Sequence, residues 1–230
     1  MARRLENKIA LITGASRGLG AAVATRFAQE GAQLILVARS AADLEAVDTE
    51  VQRYGPPALL VPFDVSDLPR IDDLALSLRE RFDHLDILVG NAALLGGLTP
   101  MTHLKAQAWH QMMTTNLHAN WHLLKAFEPL LLRASAARLL FVTHEVATHP
   151  TAYWGAYGVS KAALEMMAKI YAAEIKLTSM RVNLIDPGSL QTERGEDVTE
   201  IFVRAAEESC PWQGETVYQE SGIRQQESGI

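Results

Sequence analysis

The first thirty-one residues constrain this chain more than any other stretch. A short apolar run, Lys8-Ile-Ala-Leu-Ile-Thr13, passes directly into Gly14-Ala-Ser16-Arg17-Gly18-Leu19-Gly20 and then into an alanine-rich segment ending near Glu30-Gly31. Unalternating apolar residues suit a strand buried on both faces, as in a parallel sheet covered by helices. Glycines there permit a tight turn and close backbone approach. The helix behind them offers unpaired N–H groups and the positive end of its dipole, which suits a pyrophosphate. The spacing is G-x-x-x-G-x-G, not G-x-G-x-x-G, so by itself the loop reads equally as an unliganded glycine turn.

The alternation continues. Further strands are predicted at 33–39, 58–63, 86–90, 138–143 and 180–185, with a short last one at 215–218. Helices are predicted at 41–54, 70–82, 105–132, 155–177 and, weakly, 198–208. Strands alternating with helices over 230 residues imply one domain: an α/β, doubly wound parallel sheet of about seven strands with right-handed crossovers. The motif-bearing core spans about 8–192, and 193–230 forms a short substrate-side segment, a last strand and a tail without periodic pattern. A net charge of −6 with no basic block argues against a nucleic-acid surface. No stretch reaches the length of a membrane span. The one cysteine, Cys210, and an N-terminal apolar run too short for an export signal point to the cytoplasm.

In such sheets ligands sit at the carboxyl ends of the strands, and the chemically distinctive residues of this chain fall there. The second strand ends in Ala38-Arg39-Ser40, where an acidic residue would select a free ribose hydroxyl. Arg39 can instead pair with a phosphate, and Arg17 adds a second cation; two surface arginines are the bland alternative, and together they favour NADP(H) over NAD(H). Asp64-Val65 follows the third strand, and the aspartate either accepts from an adenine amino group or caps a turn. Asn91-Ala92 follows the fourth. Asn116 sits mid-helix, where a buried amide is costly unless it is used. His118 and His122 are four apart, but no third ligand at a recognisable spacing supports a metal site. Tyr157 and Lys161 project from one helix face. A unit charge at about 4 Å and an effective dielectric of 20 is worth roughly 4 kcal/mol, enough to bring the phenol from near 10 to about 7.

Together these motifs resemble the short-chain dehydrogenase/reductase family, over residues 8–192 and with a Rossmann-like fold. Thr13-Gly14-x-x-x-Gly18-x-Gly20 is similar to its cofactor loop, with Ser16, Arg17 and Leu19 inside it. Asp64 and Val65 resemble its adenine contact, Asn91-Ala92 the core of its N-N-A-G segment, and Asn116 the asparagine that links the lysine to solvent through water. Tyr157 and Lys161 resemble its catalytic acid and partner, which also touch the nicotinamide ribose. Pro187-Gly188-x-x-x-Thr192 resembles its nicotinamide-side contact. The resemblance implies hydride transfer between NADP(H) and a small carbonyl or alcohol, in a homodimer or homotetramer that pairs long helices. Three departures stand out. His144 occupies the place of the usual catalytic serine, Gly90 and Ala93 replace the outer residues of N-N-A-G and are expected to loosen that turn, and only 38 residues follow Thr192. Thr143 points to the opposite face and is not expected to substitute for the serine. Two readings therefore stand: an NADP(H)-dependent oxidoreductase using Tyr157, Lys161, Asn116 and His144, or an NADP(H)-binding sensor or scaffold with weak or no turnover. Leu94, Leu95, Trp154 and Leu190 line an apolar pocket or belong to the core.

Overall fold

The computed structural model describes residues 3–188, 197–218 and 222–223. Its parallel strands are β1 (Ile9–Thr13), β2 (Gln33–Ala38), β3 (Leu59–Pro62), β4 (Ile87–Gly90), β5 (Arg138–Val142), β6 (Arg181–Asp186) and β7 (Thr216–Tyr218). The helices are α1 (Gly18–Gln29), α2 (Ala41–Val51), α3 (Leu68–Arg81), α4 (Ala106–Met113), α5 (Ala119–Leu131), α6 (Gly155–Glu174) and α7 (Val198–Ala206). Among the described residues the sheet runs β3-β2-β1-β4-β5-β6-β7-β8. The last member, β8 (Gly222–Ile223), pairs antiparallel with β7 and lies in the segment expected to carry no regular element.

Two apolar layers cover the sheet, as the unalternating strands require. One packs Leu11, Leu88, Leu139 and Leu184 against α3, α5 and α6. The other packs Ile12, Val89, Leu140 and Ile185 against α1 and α7, with Trp212 closing its edge. At the amino edge, buried Asp86 accepts from the Ile9 amide at 2.9 Å. Buried Arg138 donates to the carbonyls of Glu207 and Glu208. Those polar groups are consumed by structure. The carboxyl edge is where chemistry is left over, and β1 lies between β2 and β4, so the chain reverses direction across the sheet there.

The helix expected over 105–132 is interrupted. Between α4 and α5, Thr114–His118 form one π-helical turn. Such turns arise where a helix yields its regular bonding to something local. Here that is Asn116, wholly buried, whose Oδ1 accepts from the Leu94 amide at 2.7 Å and whose Nδ2 donates to the Leu94 carbonyl at 3.0 Å.

Candidate active site

The glycine loop is shaped by close contacts. A Cβ on Gly20 would lie 2.2 Å from the Gly14 carbonyl oxygen, and one on Gly14, at φ +64°, would lie 2.9 Å from Ala92 Cα. Neither position tolerates a side chain. The Asn91 amide ties this loop to β4, donating to the Thr13 and Gly14 carbonyls at 3.0 and 3.2 Å. Thr13 Oγ1 accepts from the backbone amides of Asn91 and Ala92, both at 3.1 Å. Asn91 thus acts on the loop before it acts on any ligand. Arg17 precedes α1 without giving it a side-chain cap, so the first N–H groups of that helix face the crevice uncapped. The crevice itself is a cavity of about 1170 Å³, bordered by Ser16, Leu19, Arg39, Asp64, Val65 and Ala92 among others. A dinucleotide fits this donor set: uncapped helix N–H groups and a side-chain-free loop for its pyrophosphate, and two exposed arginines at the ribose end. Asp64 Oδ1 caps its own turn through the Ser66 amide at 2.9 Å, while Oδ2 stands 3.9 Å from Arg39.

The turn after β4 is not loosened by Gly90. A Cβ there would meet Asn120 Oδ1 at 2.2 Å and Phe141 at 2.6 Å, so α5 fills the space from the other side. Asn120 is buried and donates to the Asn116 carbonyl at 2.8 Å. Sequence reading missed Asn120, because only packing links positions thirty residues apart.

Tyr157 and Lys161 share the face of α6 directed at the carboxyl ends of β5 and β6. Lys161 is 2% exposed, donates to the Val142 carbonyl at 2.7 Å, and lies 5.6 Å from the centre of the Tyr157 ring. Burial brings its pKa down to about 8, against opposing pulls from Asp186 and Glu165. The expected lowering of the Tyr157 phenol is contradicted. Burial, with a further push from the Asp186 carboxylate, drives it up to about 12. The ammonium sits over the ring and is engaged by a backbone carbonyl, so desolvation outweighs the attraction reckoned for a bare pair at 4 Å. Asp186, 3% exposed, closes β6 and accepts from the Gly188 amide at 2.9 Å. Its own carboxyl is raised, first by burial.

Asn116 reaches this group through Ser160, to which its Nδ2 donates at 2.9 Å; Ser160 Oγ donates in turn to the Tyr157 carbonyl at 2.7 Å. Its side chain is thereby committed to Leu94 and Ser160 and makes no bond to Lys161 among the described residues. Thr143 Oγ1 donates to buried Glu165 on α6 at 2.7 Å, which occupies its hydroxyl. His144 lies beside Tyr157, with ring centres 5.7 Å apart. Pro187 is buried and Gly188 exposed at φ +61°. Thr192 and Leu190 lie outside the described residues.

A family profile described as short chain dehydrogenase matches residues 8–201. The chain belongs to the short-chain dehydrogenase/reductase family. It is an oxidoreductase of the hydride-transferring kind that this family comprises, working with a nicotinamide cofactor on small molecules. An uncharacterized oxidoreductase of Escherichia coli K12, YciK, is 34% identical over 191 residues, covering 82% of this chain and 75% of the relative. Galactitol 2-dehydrogenase of Agrobacterium fabrum is 32% identical over 202 residues, covering 87% and 77%. Among solved structures, a short-chain dehydrogenase from Pseudomonas syringae superposes with a TM-score of 0.88 at 29% identity, covering 95% of this chain and 96% of that one. One from Escherichia coli CFT073, complexed with NADPH, gives 0.86 at 29% identity, covering 95% and 98%. Through their effects on Tyr157, Asp186 and Ser160 join the residues singled out from sequence. The signal for Asp186 was a carboxylate ending an apolar strand just before Pro187-Gly188, and for Ser160 a hydroxyl three residues after Tyr157.

Proposed function

We propose that this short-chain dehydrogenase/reductase transfers hydride between NADP(H) and a carbonyl or alcohol, with Tyr157 as the general acid and base. The observation that carries the reading is the pairing of half-buried Tyr157 with buried Lys161 at the carboxyl ends of β5 and β6, on the side of the sheet where the glycine loop opens. When bound, the nicotinamide supplies or accepts the hydride. Tyr157, held protonated by burial and by Asp186, gives its proton to the substrate oxygen in reduction. Lys161 supplies positive charge beneath the phenol and a donor for the nicotinamide ribose. Asn116 holds Leu94 and the Tyr157 turn in register, and its carbonyl, rather than its committed amide, is the group suited to a water relay toward Lys161. The α1 N-terminus and residues Gly14 to Gly20 hold the pyrophosphate, and Asp64, Val65, Asn91 and Ala92 flank the adenosine half. Pro187, Gly188 and Thr192 serve the nicotinamide side. Arg17 and Arg39 favour the phosphorylated cofactor, in keeping with the NADPH bound by the Escherichia coli CFT073 relative.

The assembly proposed is a homodimer or homotetramer. Exposed Trp121, Met166 and Ile170, from α5 and α6, border an apolar cleft of about 680 Å³ on the outer face of those helices. A second copy of the same face covers it. Among the described residues no helix is long and apolar enough to cross a membrane, and a reducing cytoplasm suits the one cysteine.

Tyr157→Phe tests the chemistry. NADPH titrated by fluorescence should bind as before, while turnover of a good carbonyl substrate falls by at least about a hundredfold. Full activity in that variant refutes the role. NADPH binding with no turnover in wild type, across a broad carbonyl and alcohol screen, would instead favour the sensor reading.

A further inference from the structure

His144 departs from the family pattern, and its surroundings fix more about it than its position does. β5 ends at Val142, but the Thr143 amide still donates to the Ile185 carbonyl at 2.8 Å, so the ladder carries the backbone to the edge of His144. His144 then caps a short 3₁₀ turn, Glu145–Ala147, with its ring: Nδ1 accepts the Val146 amide at 3.1 Å. Val146 is buried, and a Cβ on Gly158 of α6 would touch it at 3.4 Å, so the turn is seated firmly. A ring nitrogen that accepts an N–H carries no proton, and in a neutral imidazole the proton is then on the other nitrogen, Nε2.

The ring is also wedged. Trp154 stacks on it at 5.2 Å and 30°, and Tyr157 meets it at 5.7 Å and 82°. Trp154 is held there by an unusual backbone. Tyr153 before it sits at φ +73°, a region L-residues seldom adopt, and its carbonyl accepts the Thr99 amide at 3.1 Å. Two aromatic walls and one backbone bond thus oppose rotation of the imidazole.

We propose that His144 is a catalytic hydrogen-bond donor to the substrate oxygen, locked as its Nε2–H tautomer by the Val146 amide. This deepens the hydride-transfer reading and rests on it. A serine hydroxyl at this place can turn to donate or accept, whereas the locked imidazole only donates from Nε2. Its partner is therefore an oxygen with lone pairs beside Tyr157, which a ketone or aldehyde provides. The ring extends farther from β5 than a serine does, so it shortens the recess and admits slim substrates over broad ones. Leu95, Leu98 and Tyr153 are exposed by 44%, 56% and 60% around this corner, so the flank that meets the substrate body is apolar and uncharged.

The experiment uses the full chain with ¹⁵N-labelled imidazoles, acetophenone as the slim ketone and benzophenone as the broad one. At pH 8, long-range ¹H–¹⁵N spectra, with His144 assigned by its disappearance in His144→Ser, should show a proton on Nε2 and none on Nδ1. Adding acetophenone to the NADP⁺-saturated protein should move the Nε2–H signal downfield. A proton on Nδ1, rapid averaging of the tautomers, or an unmoved signal at saturation overturns the proposal. In turnover with NADPH, His144→Ala should lower kcat at least about a hundredfold, the lower margin of what one preorganised donor is worth. His144→Ser should recover most of kcat and raise the benzophenone-to-acetophenone ratio. An unchanged kcat in His144→Ala refutes the donor role. If wild type turns over neither ketone nor any member of the broad carbonyl and alcohol screen, the hydride-transfer reading fails on that ground, while the spectra still decide the tautomer and the contact.

Discussion

Lys161→Met should make the cofactor-free protein more stable while abolishing turnover. Lys161 is almost wholly buried, and burial holds its pKa at about 8 instead of 10.5. A drop of that size corresponds to about 3 kcal/mol of cost for carrying the ammonium inside the fold at pH 7. Methionine is close in volume and carries no charge; losing the bond to the Val142 carbonyl subtracts about 1 kcal/mol, which leaves a net gain of about 2 kcal/mol. For a domain of this length that is a rise of about 4–8 °C in Tm. The pH dependence gives the sharper test. Because the folded pKa lies below the unfolded one, the unfolded chain alone holds the extra proton between about pH 8 and 10.5, so wild-type stability climbs with pH across that window. Below about pH 8 the full cost remains. Melting curves of both proteins without cofactor, at pH 7 and pH 9.5, should therefore show a gap that largely closes at the higher pH. A variant that melts below wild type at pH 7, or a gap indifferent to pH, would refute the reasoning.

Two further outcomes follow from the site and the surface. Arg39→Asp should reverse the preference for NADPH over NADH, and in wild type the preference should shrink as salt rises, because Arg17 and Arg39 are exposed and screened; equal wild-type affinities by fluorescence titration would dismiss the assignment. Ile170→Glu, on the apolar face of α6, should shift light scattering from dimer or tetramer toward monomer with the melting profile of the isolated fold retained, and an unaltered assembly would exclude that face.

What the sequence made legible was whatever depends on local geometry. The glycine loop could be read because only glycine satisfies the 2.2 Å approach of position 20 to the Gly14 carbonyl, and such positions leave their mark in composition. Tyr157 and Lys161 could be read because a helix brings residues four apart to one face. Thr143 was set aside on strand alternation, and its hydroxyl is taken up by Glu165. The misses share a physical cause: they depend on what surrounds a residue. The phenol of Tyr157 goes up because of its burial and the Asp186 carboxylate, and neither is a property of a spacing. Gly90 was taken to weaken its turn, yet Asn120 from another helix occupies the space that a side chain would need. The π-turn at Thr114–His118 is invisible for the same reason, since its cause is the backbone of Leu94 twenty-two residues away.

Asp186 acts on both members of the Tyr157–Lys161 pair. Its carboxylate raises both Tyr157 and Lys161, so one buried charge keeps a proton on the phenol and on the amine at once. Burial acts on the two in opposite senses, raising the phenol and lowering the ammonium, because it penalises whichever form carries charge. With burial alone Lys161 would sit lower still and give up its charge nearer neutrality; Asp186 and Glu165 hold it cationic at pH 7. Glu165 is itself fixed from two sides, by Thr143 at 2.7 Å and by Lys169 at 3.2 Å. The result on the proposed reading is a site with its proton already on Tyr157 and its positive charge already in place beneath it. That is the starting condition for protonating a carbonyl oxygen as hydride arrives. Alcohol oxidation starts from the opposite condition, a deprotonated phenol, and must work against both the desolvation and the carboxylate. On that reading the phenol is ready to donate to a carbonyl oxygen, and alcohol oxidation has first to remove its proton.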